Sequence, residues 1–225
     1  MRTSYSTSPR PTPQQSSGCS PGARDEYADA ARLTFRVGPF NPPAFEARLL
    51  LDGFDRKDAL LLILAGQLRR QIRHCDIRPI EKDEEWQSYT ELKRLDCGQD
   101  KVAGENGDDG ALARGFTASN RLKCPPVQYA FAYQDGRAVG HCSCWEGTAG
   151  VGQVEDLFVD RAYRRRGIGT ALIHYCVEAV RARGAGPVVI VVDPKNSAKA
   201  MYAALGWRPV AVCREYGRPN VRCRR

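Results

Sequence analysis

Arg164-Arg165-Arg166-Gly167-Ile168-Gly169-Thr170 is the stretch on which the reading of the fold turns. Two glycines one residue apart let the backbone bend tightly and bring its N–H groups close to a ligand. Ile168, Ala171, Leu172, Tyr175, Cys176 and Ala179 follow at the spacing of one helix face, and Gly184 marks where that helix should stop. A helix start carries unpaired N–H groups and a partial positive charge. The bend is therefore an anion site, and a pyrophosphate fits it. The three arginines add field and potential phosphate contacts. Taken alone, the stretch reads equally well as an ordinary strand-to-helix turn with a solvated basic patch.

Its surroundings decide the matter. Residues 151–159 read as a strand entering the bend. Beyond the helix, Val188-Val189-Ile190-Val191-Val192 is a β-branched run, expected of a parallel strand covered on both sides. Strand, helix and strand make a right-handed β-α-β crossover. Upstream, Val127, Tyr129, Phe131 and Tyr133 alternate with smaller or polar residues, Asp135-Gly136 signals a hairpin turn, and 137–145 returns as the next strand. A hairpin beside a crossover gives a mixed sheet. The expected fold class is therefore α/β: a central mixed sheet with helices on both faces.

Ile77-Arg78-Pro79-Ile80 reads as a short edge strand, because Pro79 suits no central one. Residues 81–96 read as a helix with an acidic first turn and Trp86, Tyr89, Leu92 and Leu95 recurring along it. The glycine-rich stretch 97–111 reads as a loop. Asp96, Asp100, Glu105, Asp108 and Asp109 in and beside it could line a site for a basic substrate, although a solvated loop is the plainer reading. A short helix over 112–122 has weaker support. Asn196 can cap a last short helix bearing Ala198, Met201, Tyr202 and Leu205 and ending at Gly206, and 207–213 could close the sheet.

The chain ahead of this unit is less regular. Residues 1–24 are rich in Ser, Pro, Thr, Gln and Gly and have almost no large apolar side chains to offset ordering, which predicts disorder. Pro39, Pro42 and Pro43 argue against regular structure nearby. Residues 56–74 read as a helix, apolar through 59–64 and basic at its end, that covers a core or meets a second copy of the chain. The expected division is an irregular extension over 1–55, an accessory helix over 56–75, the α/β domain over 76–213 and a solvated basic tail over 214–225.

The 225 residues are 42% hydrophobic, enough for an ordinary core. No apolar run nears the roughly 18 residues of a membrane helix, and the first residues do not form a signal peptide. The expectation is a soluble, cytoplasmic protein without a membrane partner. A net charge of +8 favours an anionic ligand but does not choose one, and no aromatic-basic interleaving supports nucleic acid. The nine cysteines are odd in number and irregular in spacing, so they read as reduced, mostly buried thiols. Cys142 and Cys144, two apart on a strand, should share a face. His74, His141 and His174 are scattered, and no metal is expected.

Arg164-x-x-Gly167-x-Gly169 resembles the pyrophosphate-binding motif of the GNAT acetyltransferase superfamily. Asp156-Leu157-Phe158-Val159 before it, Ala198-x-x-x-Tyr202-x-x-x-Gly206-Trp207 after it and the early Ile77-Arg78-Pro79 resemble the same family, in the same order. The resemblance covers about 76–213. It implies acetyl-CoA as co-substrate, held along the backbone of Leu157, Phe158 and Val159 and by the amides of Arg165, Arg166, Gly167, Ile168, Gly169 and Thr170, with Arg164 opening the motif. It implies an N-acetyltransferase that moves an acetyl group to a primary amine by direct attack, with a backbone N–H at a strand bulge polarising the thioester. Tyr202 matches the family's frequent catalytic acid. Glu155-Asp156 resembles the acidic strand of the polyamine and thialysine branch, which implies Glu155 as base and Asp156 as a contact for a small cationic acceptor. A protein N-terminus, a lysine side chain or a non-catalytic acetyl-CoA sensor remain alternatives. One departure stands out: Lys195 occupies the place where many members carry an Asn, which leaves Asn196 as a helix cap.

Overall fold

The computed structural model describes residues 32–69, 74–99, 109–195 and 198–219. The chain divides into two compact units, one of residues Met1–Val37, Asn41–Lys57 and Glu215–Arg225, the other of Gly38–Phe40 and Asp58–Arg214.

The smaller unit contains β1 (Arg32–Val37), α1 (Pro43–Leu51) and the outer ends of β2 (Asp55–Leu64) and β8 (Arg208–Pro219). Val37, Leu49, Phe54 and Tyr216 form its buried core. Phe35 meets Phe45 and Phe54 edge-on, with ring centroids 5.9 and 5.3 Å apart. The Tyr216 hydroxyl donates to Glu46 Oε2 at 2.7 Å, and Arg218 Nη1 donates to the Asp52 carbonyl at 2.6 Å. These findings correct two expectations. Part of the 1–55 extension is a strand and a helix: Pro43 opens α1, where its missing N–H costs nothing, instead of breaking regular structure. Residues 214–219 are the end of a strand rather than a solvated tail, because Tyr216 and the stem of Arg218 have an aromatic core to cover. Residues 1–31, which include the 1–24 stretch where disorder is expected, and 220–225 lie outside the described residues.

The larger unit holds β3 (Asp76–Pro79), α2 (Glu85–Gln99), α3 (Asp109–Arg121), β4 (Gln128–Gln134), β5 (Arg137–Glu146), β6 (Gly152–Val159), α4 (Ile168–Ala182), β7 (Val188–Val192) and α5 (Lys199–Leu205), with the remainder of β2 and β8. Its hydrogen-bonded strand order is β8-β2-β7-β6-β5-β4-β3. β6 and β7 run parallel, while β2–β7, β6–β5, β5–β4 and β4–β3 are antiparallel, so the sheet is mixed. β3 is its edge, as Pro79 requires. The β4–β5 turn places Asp135 at φ 51° and Gly136 at φ 77°, the two left-handed residues of a tight hairpin.

The expected helix over 56–74 is instead β2 through Leu64, with residues 70–73 outside the described set. Leu60 pairs with Val192, Leu62 with Ile190 and Leu64 with Val188. Leucine favours helices, but a six-residue apolar run followed by Gly66 fits either state. The unpaired edge of β7 settles it: as a strand the run supplies β7's hydrogen bonds and buries Leu62 and Leu64. The segment read as accessory is thus part of the central sheet.

α4 buries Ile168, Ala171, Leu172, Ile173, Cys176, Val177 and Val180 against the sheet. Gly184, at φ 98°, ends it with a left-handed turn whose N–H bonds the Arg181 carbonyl at 2.9 Å. The approach is close: a Cβ at Gly152 would lie 2.7 Å from Val180 Cγ2. Cys142 and Cys144 do share the α4 face, buried beside Cys176. β7 is less enclosed than its composition suggests, because Val191 is 39% exposed. On the opposite face α2 packs Trp86, Tyr89 and Leu92 on Tyr129, Phe131 and Phe158.

Candidate active site

The motif bend lies between β6 and α4. A single turn at Arg161–Tyr163, capped by Asp160, leads into Arg165 at φ 64° and Gly167 at φ 88°. Left-handed residues at a bend can turn neighbouring amides toward one concave side. Gly167 is the N-cap of α4 and brings no side-chain cap to the helix's first N–H groups. An anion with several oxygens fits a helix end left in this state. Two of the arginines also bond within the bend. Arg164 Nε donates to the Val159 carbonyl at 2.9 Å, and Arg166 Nη2 donates to the Ala162 carbonyl at 3.2 Å while its guanidinium lies over the Tyr163 ring. Both fasten the bend to itself, which shapes the amide cradle. Beside it runs a cleft lined by His74, Asp76, Tyr133, Arg166, Gly167 and Ile168.

Next to the bend, β6 parts from β7. Their pairing is confined to Gly152–Val188 and Gln153–Val189, yet β6 continues to Val159. Beyond Gln153 the β7-facing edge of β6 therefore has backbone groups that no β7 residue pairs, with the Val159 carbonyl taken by Arg164 Nε. Gly169 faces the same place, since a Cβ there would meet Met201, Val159 and Leu157 at 3.7–3.9 Å.

The parting coincides with a bulge. His141 pairs with Phe158 and Ser143 with Glu155, leaving Asp156 and Leu157 opposite Cys142. Asp156 takes φ 57°, a conformation non-glycine residues rarely hold without compensation. Ser143 Oγ donates to the Glu155 carbonyl at 3.1 Å beside the bulge. A bulge lets two neighbours reach one side of a sheet. Tyr129 registers both acids: burial pushes its phenol up, and the charges of Asp156 and Glu155 push it further. The Glu155 carboxylate accepts from Gln153 Nε2.

Asp156 is the centre of a buried polar cluster. It accepts from the Tyr89 hydroxyl and from Lys93 Nζ at 2.8 Å, and its Oδ2 lies 3.6 Å from His141 Nδ1. Lys93 Nζ also donates to Asp96 Oδ2 at 2.8 Å. Asn120 Nδ2 donates to the Tyr89 oxygen at 2.8 Å. Burial would raise the Asp156 carboxyl, but the Lys93 ammonium beside it and the hydrogen bonds from Lys93 and Tyr89 hold it below the usual aspartate value. Burial likewise works against the Lys93 ammonium, and the two carboxylates outweigh it, so its pKa rises. His141 is enclosed completely and burial pushes it down, so the imidazole is neutral. Asp96, His141 and Asp156 bring metal-type ligand atoms within 4.8 Å of one another, and the cation among them is Lys93.

Tyr202, on α5, is buried and meets Trp207 edge-on at 6.1 Å. Burial raises its phenol, with Cys142 adding to the effect, which keeps the hydroxyl protonated. Sequence reading missed Tyr89, Lys93, Asn120 and His141. A signal was present on α2, where Tyr89, Lys93 and Asp96 stand at i, i+4 and i+7 and so share a helix face. Asn196 and the stretch 100–108, with Asp100, Glu105 and Asp108, lie outside the described residues. Asp96 is helical as expected, while Asp109, read as part of the loop, is the first residue of α3.

The sequence profile of the acetyltransferase (GNAT) family matches residues 83–207. That is more than half of the chain, and the chain belongs to this family. Over 72 residues it is 39% identical to the mycothiol acetyltransferase of Beutenbergia cavernae, across 32% of this chain and 24% of that protein. Over 98 residues it is 34% identical to the glucosamine 6-phosphate N-acetyltransferase of Trypanosoma brucei brucei, across 40% of this chain and 65% of that protein. The chain therefore spans less than two thirds of either curated relative. Among solved structures, the GCN5-related N-acetyltransferase from Kribbella flavida shares the fold with a TM-score of 0.60 at 18% identity, over 86% of this chain and 72% of that one. No helix among the described residues is long and apolar enough to cross a membrane.

Proposed function

We propose that the protein is an acetyl-CoA-dependent N-acetyltransferase acting on a primary amine of a small molecule, by direct attack within a ternary complex. The observation that carries this is the continuity of an uncapped helix start with a strand edge left unpaired: one holds a diphosphate, the other a chain of amides. Family membership supports the reaction class, and two relatives named for small-molecule acetylation support the acceptor class.

Acetyl-CoA supplies an activated acyl group as a thioester. The chain supplies the rest. Amides of Arg165, Arg166, Gly167, Ile168, Gly169 and Thr170 hold the anion, and the edge of Leu157, Phe158 and Val159 aligns the arm, with a bulge amide turned toward the carbonyl as an oxyanion donor. An alkylammonium, with a pKa near about 10.4, reaches the site protonated and must lose a proton before it attacks. Glu155 takes that proton, directly or through water. Tyr202, kept protonated by burial, returns one to the departing thiolate. Glu155 at the bulge favours an amine that arrives as a cation.

Titration calorimetry with coenzyme A, followed by thiol release from acetyl-CoA against a panel of amines, tests this reading. Binding with turnover is expected. A folded protein that gives no heat with coenzyme A would overturn it, and binding without turnover on any amine would make it a sensor.

A further inference from the structure

The hydrogen bonds at the β6 bulge show which way its peptide points. The Glu155 carbonyl accepts from Ser143 Oγ at 3.1 Å and from Cys142 Sγ at 3.4 Å. These neighbours on β5 send their side chains to opposite faces of the sheet, so an oxygen that both reach lies between the faces and points at β5. The Glu155–Asp156 peptide is trans. Its N–H opposes its carbonyl, and the Asp156 amide therefore points away from β5. That is the side on which no β7 residue pairs with β6 beyond Gln153. Asp156 is held there from outside the strand. Its φ of 57° persists in a non-glycine residue only where the surroundings fix it. Its carboxylate accepts from the Tyr89 hydroxyl and from Lys93 Nζ at 2.8 Å, both on α2. Lys93 is 9% exposed, and Asp96 at 2.8 Å ties its ammonium back to the same helix. Charge-assisted bonds in so enclosed a place hold better than a surface ion pair.

We propose that Lys93 is a positioning residue for acetyl transfer: through Asp156 it fixes the bulge peptide whose N–H meets the thioester oxygen. The proposal rests on the acetyltransferase reading. Lys93 acts through the Asp156 carboxylate and needs no contact with either substrate. An oxyanion donor is effective only if it already points at the oxygen when charge develops there, because an amide free to turn must first be reoriented. The Lys93 ammonium, on a helix that covers one face of the sheet, thereby sets the aim of an amide lying in the sheet's plane.

The test loosens the anchor from each end. Lys93→Met keeps most of the stem and removes the charge. Asp156→Asn keeps a residue type that tolerates a left-handed φ and weakens the bond to the ammonium. In each, coenzyme A affinity should stay within about threefold while kcat falls about tenfold, a part of the roughly 100-fold lost when such a donor is removed outright. Infrared spectra of acetyl-CoA carrying carbon-13 at the thioester carbonyl give the direct readout. The carbonyl band should lie lower on the wild-type protein than in water, and should return toward the free frequency in both variants. The double variant should lose no more than Lys93→Met alone, since Lys93 works only through Asp156. With both charges gone, it also serves if Lys93→Met does not fold. A wild-type band at the free frequency, an unchanged kcat on loss of the Lys93 charge, or a fall in kcat with the band unmoved overturns the proposal. A failure of the acetyltransferase reading would show separately, as a wild-type protein that gives no heat with coenzyme A.

Discussion

His141 Nδ1 points at Asp156 Oδ2 across 3.6 Å, and neither ring nitrogen of His141 has a hydrogen-bond partner among the described residues. A buried imidazole without partners is costly, and protonating it there is costlier still. The strained bulge at Asp156 is held by Tyr89 and Lys93, and the His141 ring packs beside Tyr89 with centroids 4.7 Å apart. The ring thus packs against the site while remaining neutral.

Stability should therefore fall in mild acid. The folded pKa of His141 lies below its unfolded value, so the unfolded chain binds the extra proton as pH drops through about 6.5, with a slope of up to about 1.4 kcal/mol per pH unit. Asp156, depressed in the fold, keeps its contribution until pH falls toward and below about 4, and Lys93, raised, keeps its own up to about 10. Between pH 7.5 and 5.5 both are constant. Urea unfolding at these two pH values should show a loss for the wild type that His141→Phe reduces. Equal losses would mean that His141 is not held neutral.

Tyr202→Phe should bind coenzyme A normally and turn over about 100-fold more slowly, the lower range for a lost general acid. The packing on Trp207 survives the change, so folding should be unaffected. Steady-state kinetics beside calorimetry separates the outcomes. An unchanged kcat would confine Tyr202 to the core.

The readable parts of this sequence are those where one local rule acts alone. The α4 stripe, the Asp135-Gly136 turn and the bend at Gly167 each follow from spacing or backbone freedom. β2 was illegible because 59–64 fits helix and strand alike, and only the distant edge of β7 decides between them. The end of β8 was illegible for a similar reason: its arginines look solvated until Phe54 and Asp52 are brought to Arg218. At the site, Glu155 and Asp156 could be named but not oriented, since a bulge is a property of two strands. Lys93 was hidden because Asp156, its second partner, lies on another element, although Asp96 stands beside it on α2.

Gly169→Ala should keep coenzyme A affinity within a few-fold, because the added Cβ meets neighbours at ordinary distances of 3.7–3.9 Å. Gly169→Glu should abolish detectable binding, because a carboxylate would lie beside the cradle meant for an anion and project between β6 and α5. Calorimetry on both variants checks the pair. Wild-type affinity in the glutamate variant would remove the ligand from this bend.

Tyr216 tests whether the chain beyond residue 214 is structural. Tyr216→Phe deletes only the hydrogen bond to Glu46 and should cost about 1 kcal/mol. Tyr216→Ala empties a fully buried aromatic position among Val37, Leu49 and Phe54 and should cost about 3–5 kcal/mol. Amide hydrogen exchange in β1 and α1 reads the loss where it occurs. Protection there should drop sharply in the alanine variant and little in the phenylalanine one. Unchanged exchange in both would return this stretch to the solvated tail that its arginines suggest.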